Sequence, residues 1–158
     1  MDYRNLGGTY YVRMDRGDEI MGGLLEVCRK EGIGSAVFSG IAGCSEAEIQ
    51  TFVPEIGDFE SETVTGMLEL ISYNGNIVSD ESGLHLHAHG LLTYVKDGEH
   101  CLAGGHMGAL TVLYTAEIEL RPVTGGVIRR KRDPETGTGF WAFDNAAEEK
   151  QRADHPIL

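Results

Sequence analysis

The stretch Gly83-Leu84-His85-Leu86-His87-Ala88-His89-Gly90 sets three of the chain's six histidines on alternate positions. Side chains on a β-strand repeat with a period of two, so all three imidazoles leave one face. A fourth histidine, His106, follows the pair Gly104-Gly105. Neutral imidazole is the commonest protein ligand for borderline transition metals, so the chemistry indicated is a divalent metal site, with zinc as the default ion.

Geometry limits which imidazoles can share one ion. Positions i and i+2 on a strand lie about 6.5–7 Å apart, so two adjacent rings can lean onto a metal about 2 Å from each nitrogen. Positions i and i+4 lie about 13 Å apart, too far for His85 and His89 to meet easily. An adjacent pair plus His106 is the workable set, since Gly104-Gly105 lets the backbone approach a neighbouring strand. Two assignments satisfy this: His85, His87 and His106, or His87, His89 and His106. Three imidazoles leave a coordination position open for water or a small molecule, and hydrolysis of an ester or amide is the simplest chemistry there.

Glu69, within Met67-Leu68-Glu69-Leu70-Ile71, falls on the opposite side of its strand from Leu68 and Leu70. Facing the histidines, it would orient a ligand imidazole or serve as a general base. Otherwise it is an exposed strand glutamate. Cys28, Cys44 and Cys101 are widely spaced and odd in number, which fits reduced thiols better than a disulfide framework or a cysteine zinc site.

The elements that must carry these residues are mostly strands. At 158 residues the chain fits one domain with a real core, and its 22 glycines favour turns and close-packed strands. Tyr10–Met14 reads as a first strand. Asp18 to about Glu31 reads as the main helix, with Ile20, Met21, Leu24, Leu25 and Cys28 on one stripe and Gly32 as its C-terminal cap. Ala36–Ile41, Ala47–Phe52, Thr63–Ser72, Asn76–Val78, Leu84–Tyr94 and Leu110–Leu120 follow as strands. Tyr73-Asn74-Gly75-Asn76 signals one hairpin and Lys96-Asp97-Gly98-Glu99 another, the second bringing His106 back toward the other histidines. Without helical crossovers the sheet should be largely antiparallel, and the class is α+β. Beyond Pro122 regularity fades. Arg129-Arg130-Lys131-Arg132 reads as a late loop, Phe140-Trp141-Ala142-Phe143 as an aromatic anchor, and Ala146–Arg152 as a polar tail.

The formal net charge of −12 weighs on partners. Duplex DNA binding draws its affinity from cations that neutralise phosphates, so direct binding by so acidic a chain is disfavoured. No apolar run approaches a membrane span, and Met1-Asp2-Tyr3-Arg4 does not open a signal segment, so no membrane partner and a cytoplasmic location are expected.

Four segments resemble the PPC domain, the plant and prokaryote conserved domain. They are Arg13-Met14-Asp15-Arg16-Gly17-Asp18-Glu19, Phe38-Ser39-Gly40-Ile41-Ala42-Gly43, Gly66-Met67-Leu68-Glu69-Leu70-Ile71-Ser72, and His85-Leu86-His87 with Gly104-Gly105-His106-Met107. The resemblance implies an α+β fold with one helix packed on an antiparallel sheet, assembled as a homotrimer. It also implies that His85, His87 and His106 match the metal-associated histidines of prokaryotic members. His89 stands where the family more often carries a small or hydroxyl residue, making it an alternative ligand or a proton carrier. On this likeness residues 1–125 are the domain, and residues 126–158 an extension packed on it or on a neighbouring subunit. The family's DNA-binding label attaches to AT-hooks, which this sequence lacks. Two functions follow: a trimeric metal protein acting on a small molecule, or a regulatory scaffold that meets DNA through partners.

Overall fold

The computed structural model describes residues 1–135 and 137–143. They form β1 (Asp2–Leu6), β2 (Thr9–Asp15), α1 (Ile20–Glu31), β3 (Ser35–Val53), β4 (Asp58–Asp80), β5 (Gly83–Lys96), β6 (Glu99–Pro122), β7 (Ile128–Arg132) and β8 (Gly139–Phe143). The helix is a minor element beside eight strands, so the sequence reading of it as a main element overstates its share. The segment Ala146–Arg152 lies outside the described residues. No helix among those described is long and apolar enough to cross a membrane.

One sheet runs β1-β2-β6-β3-β4-β7-β8, and β5 pairs with both β4 and β6. Since β3 also lies between β4 and β6, these four strands close into a ring. Every pairing is antiparallel except a parallel contact of Ser79 with Arg129. Met14, Ile20, Leu24, Leu68, Leu70, Tyr73, Leu92, Met107 and Leu110 fill the core.

Helix α1 starts at Ile20, where the Glu19 carboxylate accepts from the backbone N–H of Met21 and Gly22. It stops at Gly32, left-handed at φ 69°. Its buried stripe is Ile20, Leu24, Val27 and Cys28, with Met21 and Leu25 only half-buried. Gly23 earns its place at the sheet, since a Cβ there would stand 2.7 Å from the Met14 side chain.

The short strands expected in the middle of the chain are fused. Ala36–Ile41 and Ala47–Phe52 are parts of β3, joined through register shifts at Gly40/Ala42 and Cys44/Glu46. Thr63–Ser72 and Asn76–Val78 are both parts of β4, so the expected hairpin at Tyr73–Asn76 does not exist. An Asn-Gly turn needs positive φ at both residues. Here Asn74 and Gly75 are ladder residues, paired with Ser39 and Phe38 on one side and with His89 and Ala88 on the other. Glycine is used for closeness: a Cβ on Gly75 would run into the Phe38 ring and the His87 carbonyl. The second turn is as read, with Asp97 (φ 52°) and Gly98 (φ 81°) joining β5 to β6. Arg129–Arg132, expected in a loop, lies in β7, because β8 offers it a partner from Arg132↔Gly139 to Ile128↔Phe143.

Candidate metal centre

Strand alternation sends His87 and His89 off one face of β5 while Ala88 is buried on the other. The Asp97-Gly98 turn folds β6 back so that His106 lies directly opposite His89, with Gly105 opposite Gly90 and Gly104 opposite Leu91. Gly104 permits that approach, because a Cβ there would strike the Gly90 carbonyl. The rings of His87, His89 and His106 cluster with centroid separations of 5.1, 4.9 and 5.5 Å. One ligand nitrogen from each lies within 4.8 Å of the others.

These residues fit a metal ion. Two imidazole nitrogens bound to a tetrahedral zinc at about 2.0–2.1 Å stand about 3.3–3.4 Å apart. The Nε2 atoms of His87 and His89 are 3.3 Å apart. The ligand nitrogen of His106 lies within 4.8 Å of both.

His85 is placed differently. Its Nε2 lies 2.8 Å from Asp80 Oδ1 and 2.9 Å from Ser82 Oγ, at the turn between β4 and β5. It lines the same cavity as His87 and His106, but its ligand nitrogen is outside the cluster. Hydrogen bonds from Ser82, then His85 and Arg130, hold the Asp80 carboxyl well below the usual carboxylate range. Glu69 is exposed, pairs with Gly43 and Thr93, and lines a separate cavity with Ile41, Ile71 and Glu117. Cys101 is half-buried with its Sγ directed at the Glu99 carbonyl, outside the cluster.

A part of the site that the sequence reading did not assign is the β7–β8 hairpin. Arg130, Arg132, Phe140 and Trp141 line the cavity of His85, His87 and His106, together with Phe52 of β3 and Phe59 of β4, a cross-strand pair. The Trp141 indole donates to Asn76 Oδ1 at 3.1 Å, and Asn76 is the β4 partner of His87. The available signal was Asp133-Pro134-Glu135-Thr136-Gly137, a turn-forming run between two segments able to form strands.

The imidazoles of His87 and His106 are both harder to protonate than usual. For His87 burial is the largest cause, then His89 and Arg130; for His106 it is burial, then His87 and His89. Both are therefore neutral near pH 7, ready as ligands. The unfolded chain takes up protons near the ordinary value of 6.5, which the folded chain resists. Metal-free protein should hold its stability above that pH and lose it as pH falls through 6.5 toward the lowered folded values, then level off. Thermal unfolding with a chelator present measures this. The double variant His87→Ala/His106→Ala should flatten that limb, and an unchanged limb would place the titration elsewhere.

The Plants and Prokaryotes Conserved (PCC) domain model matches residues 1–124. The chain belongs to the PCC domain family. Solved structures similar to it include a plant- and prokaryote-conserved protein from Pyrococcus horikoshii, 31% identical with a TM-score of 0.75, covering 89% of this chain and 94% of that one. A metal-containing protein from Archaeoglobus fulgidus is 27% identical with a TM-score of 0.75, covering 90% and 99%. A protein from Ralstonia eutropha, provisionally described as DNA-binding, is 29% identical with a TM-score of 0.80, covering 90% and 96%. No curated protein sequence matches. The PCC match ends before β7, so the hairpin beside the histidines is added to the part of the chain that the family model covers.

Proposed function

We propose that this PCC-domain protein is a homotrimer that holds a divalent ion, zinc by default, on His87, His89 and His106, and binds or hydrolyses a small molecule beside it. The observation that carries the reading is the 3.3 Å spacing of the His87 and His89 Nε2 atoms, the edge length of a tetrahedral zinc site, with His106 stacked on His87. The metal-containing relative from Archaeoglobus fulgidus points the same way. A divalent ion with three imidazole ligands supplies a Lewis acid and, from water, a nucleophile usable at neutral pH. Assembly is supported by the sheet face around Glu69, where Ile41, Met67, Ile71 and Tyr114 are exposed at 55, 44, 49 and 62%.

Elemental analysis of protein purified without an affinity tag tests the reading. About one zinc or other transition ion per chain is expected for a single three-histidine site. Protein that stays metal-free after incubation with zinc would overturn it. A second reading, a regulatory scaffold that meets DNA through partners, is favoured by the provisional description of the Ralstonia eutropha relative. The net charge of −12 weighs against direct contact. Micromolar, salt-sensitive DNA binding by the isolated chain would reverse that judgement.

A further inference from the structure

The cavity beside the histidines has walls that say what it would hold. Its volume is about 550 Å³, the size of a small-molecule site. His87 and His106 of the triad line it, and the β7–β8 hairpin brings Arg130, Arg132 and Trp141 to the same cavity, with Phe59 from β4.

Charge and shape specify the ligand together. Two guanidinium groups line the cavity, those of Arg130 and Arg132. The carboxylates facing them are Asp58 and Asp80. Asp80 is already engaged, through Oδ1 with His85 and Ser82 and through Oδ2 with Arg130 at 3.3 Å. Asp58 Oδ1 accepts from the Phe59 backbone N–H. A divalent ion on the triad would add two positive charges, leaving a pocket suited to an anion inside an acidic protein. Arginine presents a planar fork that matches a carboxylate. The remaining surface is aromatic. Phe59 packs 5.3 Å from the His106 ring and 5.4 Å from Phe52, and the indole of Trp141 is held by Asn76. An inorganic anion would leave those rings against water, whereas a ring-sized hydrocarbon would cover them.

We propose that this cavity binds a small carboxylate with a ring-sized apolar body, its carboxylate toward Arg130 and the histidines and its body against Trp141 and Phe59. The proposal rests on the metal reading above and names the ligand class for that site. Arg130 is a binding residue, and the hairpin outside the family match is the part of the chain that selects the ligand.

Trp141 is the chain's sole tryptophan, so its fluorescence reports on this wall alone. The test titrates zinc-loaded protein, its metal content measured on the same sample, with benzoate, acetate, inorganic phosphate and benzyl alcohol. Benzoate should change Trp141 emission saturably, with acetate, phosphate and benzyl alcohol each at least about tenfold weaker, the scale of one lost charge-assisted hydrogen bond or an uncovered aromatic wall. Arg130→Met, which keeps the stem and removes the charge, should weaken benzoate by about tenfold or more while leaving zinc content unchanged. Protein that takes up zinc but shows no benzoate response, or binds benzyl alcohol as tightly, would overturn the carboxylate assignment alone. Protein that takes up no metal would overturn the metal reading, and this one with it.

Discussion

His87→Ala should weaken zinc binding by about 100-fold or more, whereas His85→Ala should change it by less than about tenfold. Removing an outer partner of a metal ligand commonly costs 10–100-fold, and removing a ligand should cost at least the upper end of that range. His87, like His106, belongs to both possible triads, and its Nε2 sits one tetrahedral edge from that of His89. His85 is held by Asp80 and Ser82 instead, so its loss frees an acidic turn and removes no donor from the cluster. Zinc titration against a chelating indicator, with circular dichroism to confirm folding, measures both. His89→Ala completes the comparison and should resemble His87→Ala. Loss of zinc in His85→Ala with retention in His89→Ala would return the ligand set to His85, His87 and His106, as the family resemblance implies.

Which histidines come together was legible in the sequence through the turn. A two-residue Asp97-Gly98 loop fixes hairpin register, and counting back from Lys96↔Glu99 carries His106 opposite His89. His87 then joins by alternation, whereas His85 is one further step away, level with Val78 of β4. Other features depended on partners distant in sequence. Asn74-Gly75 carries the local chemistry of a turn, but β3 and β5 flank it on both sides and impose extended backbone. Segments 128–132 and 139–143 are each too short to declare themselves, and they become strands only against one another and the edge of β4. Their arginines and tryptophan therefore read as a charged loop and an anchor, when the fold sets them around the histidines. Glu69 shows the converse limit. Alternation placed its side chain correctly on the exposed face, but period-two reasoning cannot say which exposed region a strand of 23 residues presents at each position.

Gly75→Ala should destabilise the protein by about 2–3 kcal/mol, the upper part of the range typical of overpacking a close-packed site. For a chain of this size that corresponds to a fall in melting temperature of roughly 5–10 °C. At Gly75 β3, β4 and β5 approach closely beside the site. Its missing side chain leaves room for the Phe38 ring, which packs 5.2 Å from Tyr73, and for the His87 carbonyl. The ring can turn, but the carbonyl belongs to the backbone of His87 and cannot move without shifting β5. A methyl group at this position should therefore act twice, loosening the closed ring of strands and displacing His87 from His89 and His106. Gly126→Ala is the matched control, since a Cβ there meets nothing within 4 Å, and it should stay within about 0.5 kcal/mol of the parent. Thermal melts of both variants, with zinc and with chelator, separate the two effects: the chelated melt reads the packing, and the extra shift with zinc reads the coupling to the site. An unchanged chelated melt for Gly75→Ala would mean that β3 and β5 do not close on β4 as described, and the histidines would lose the frame that holds them together.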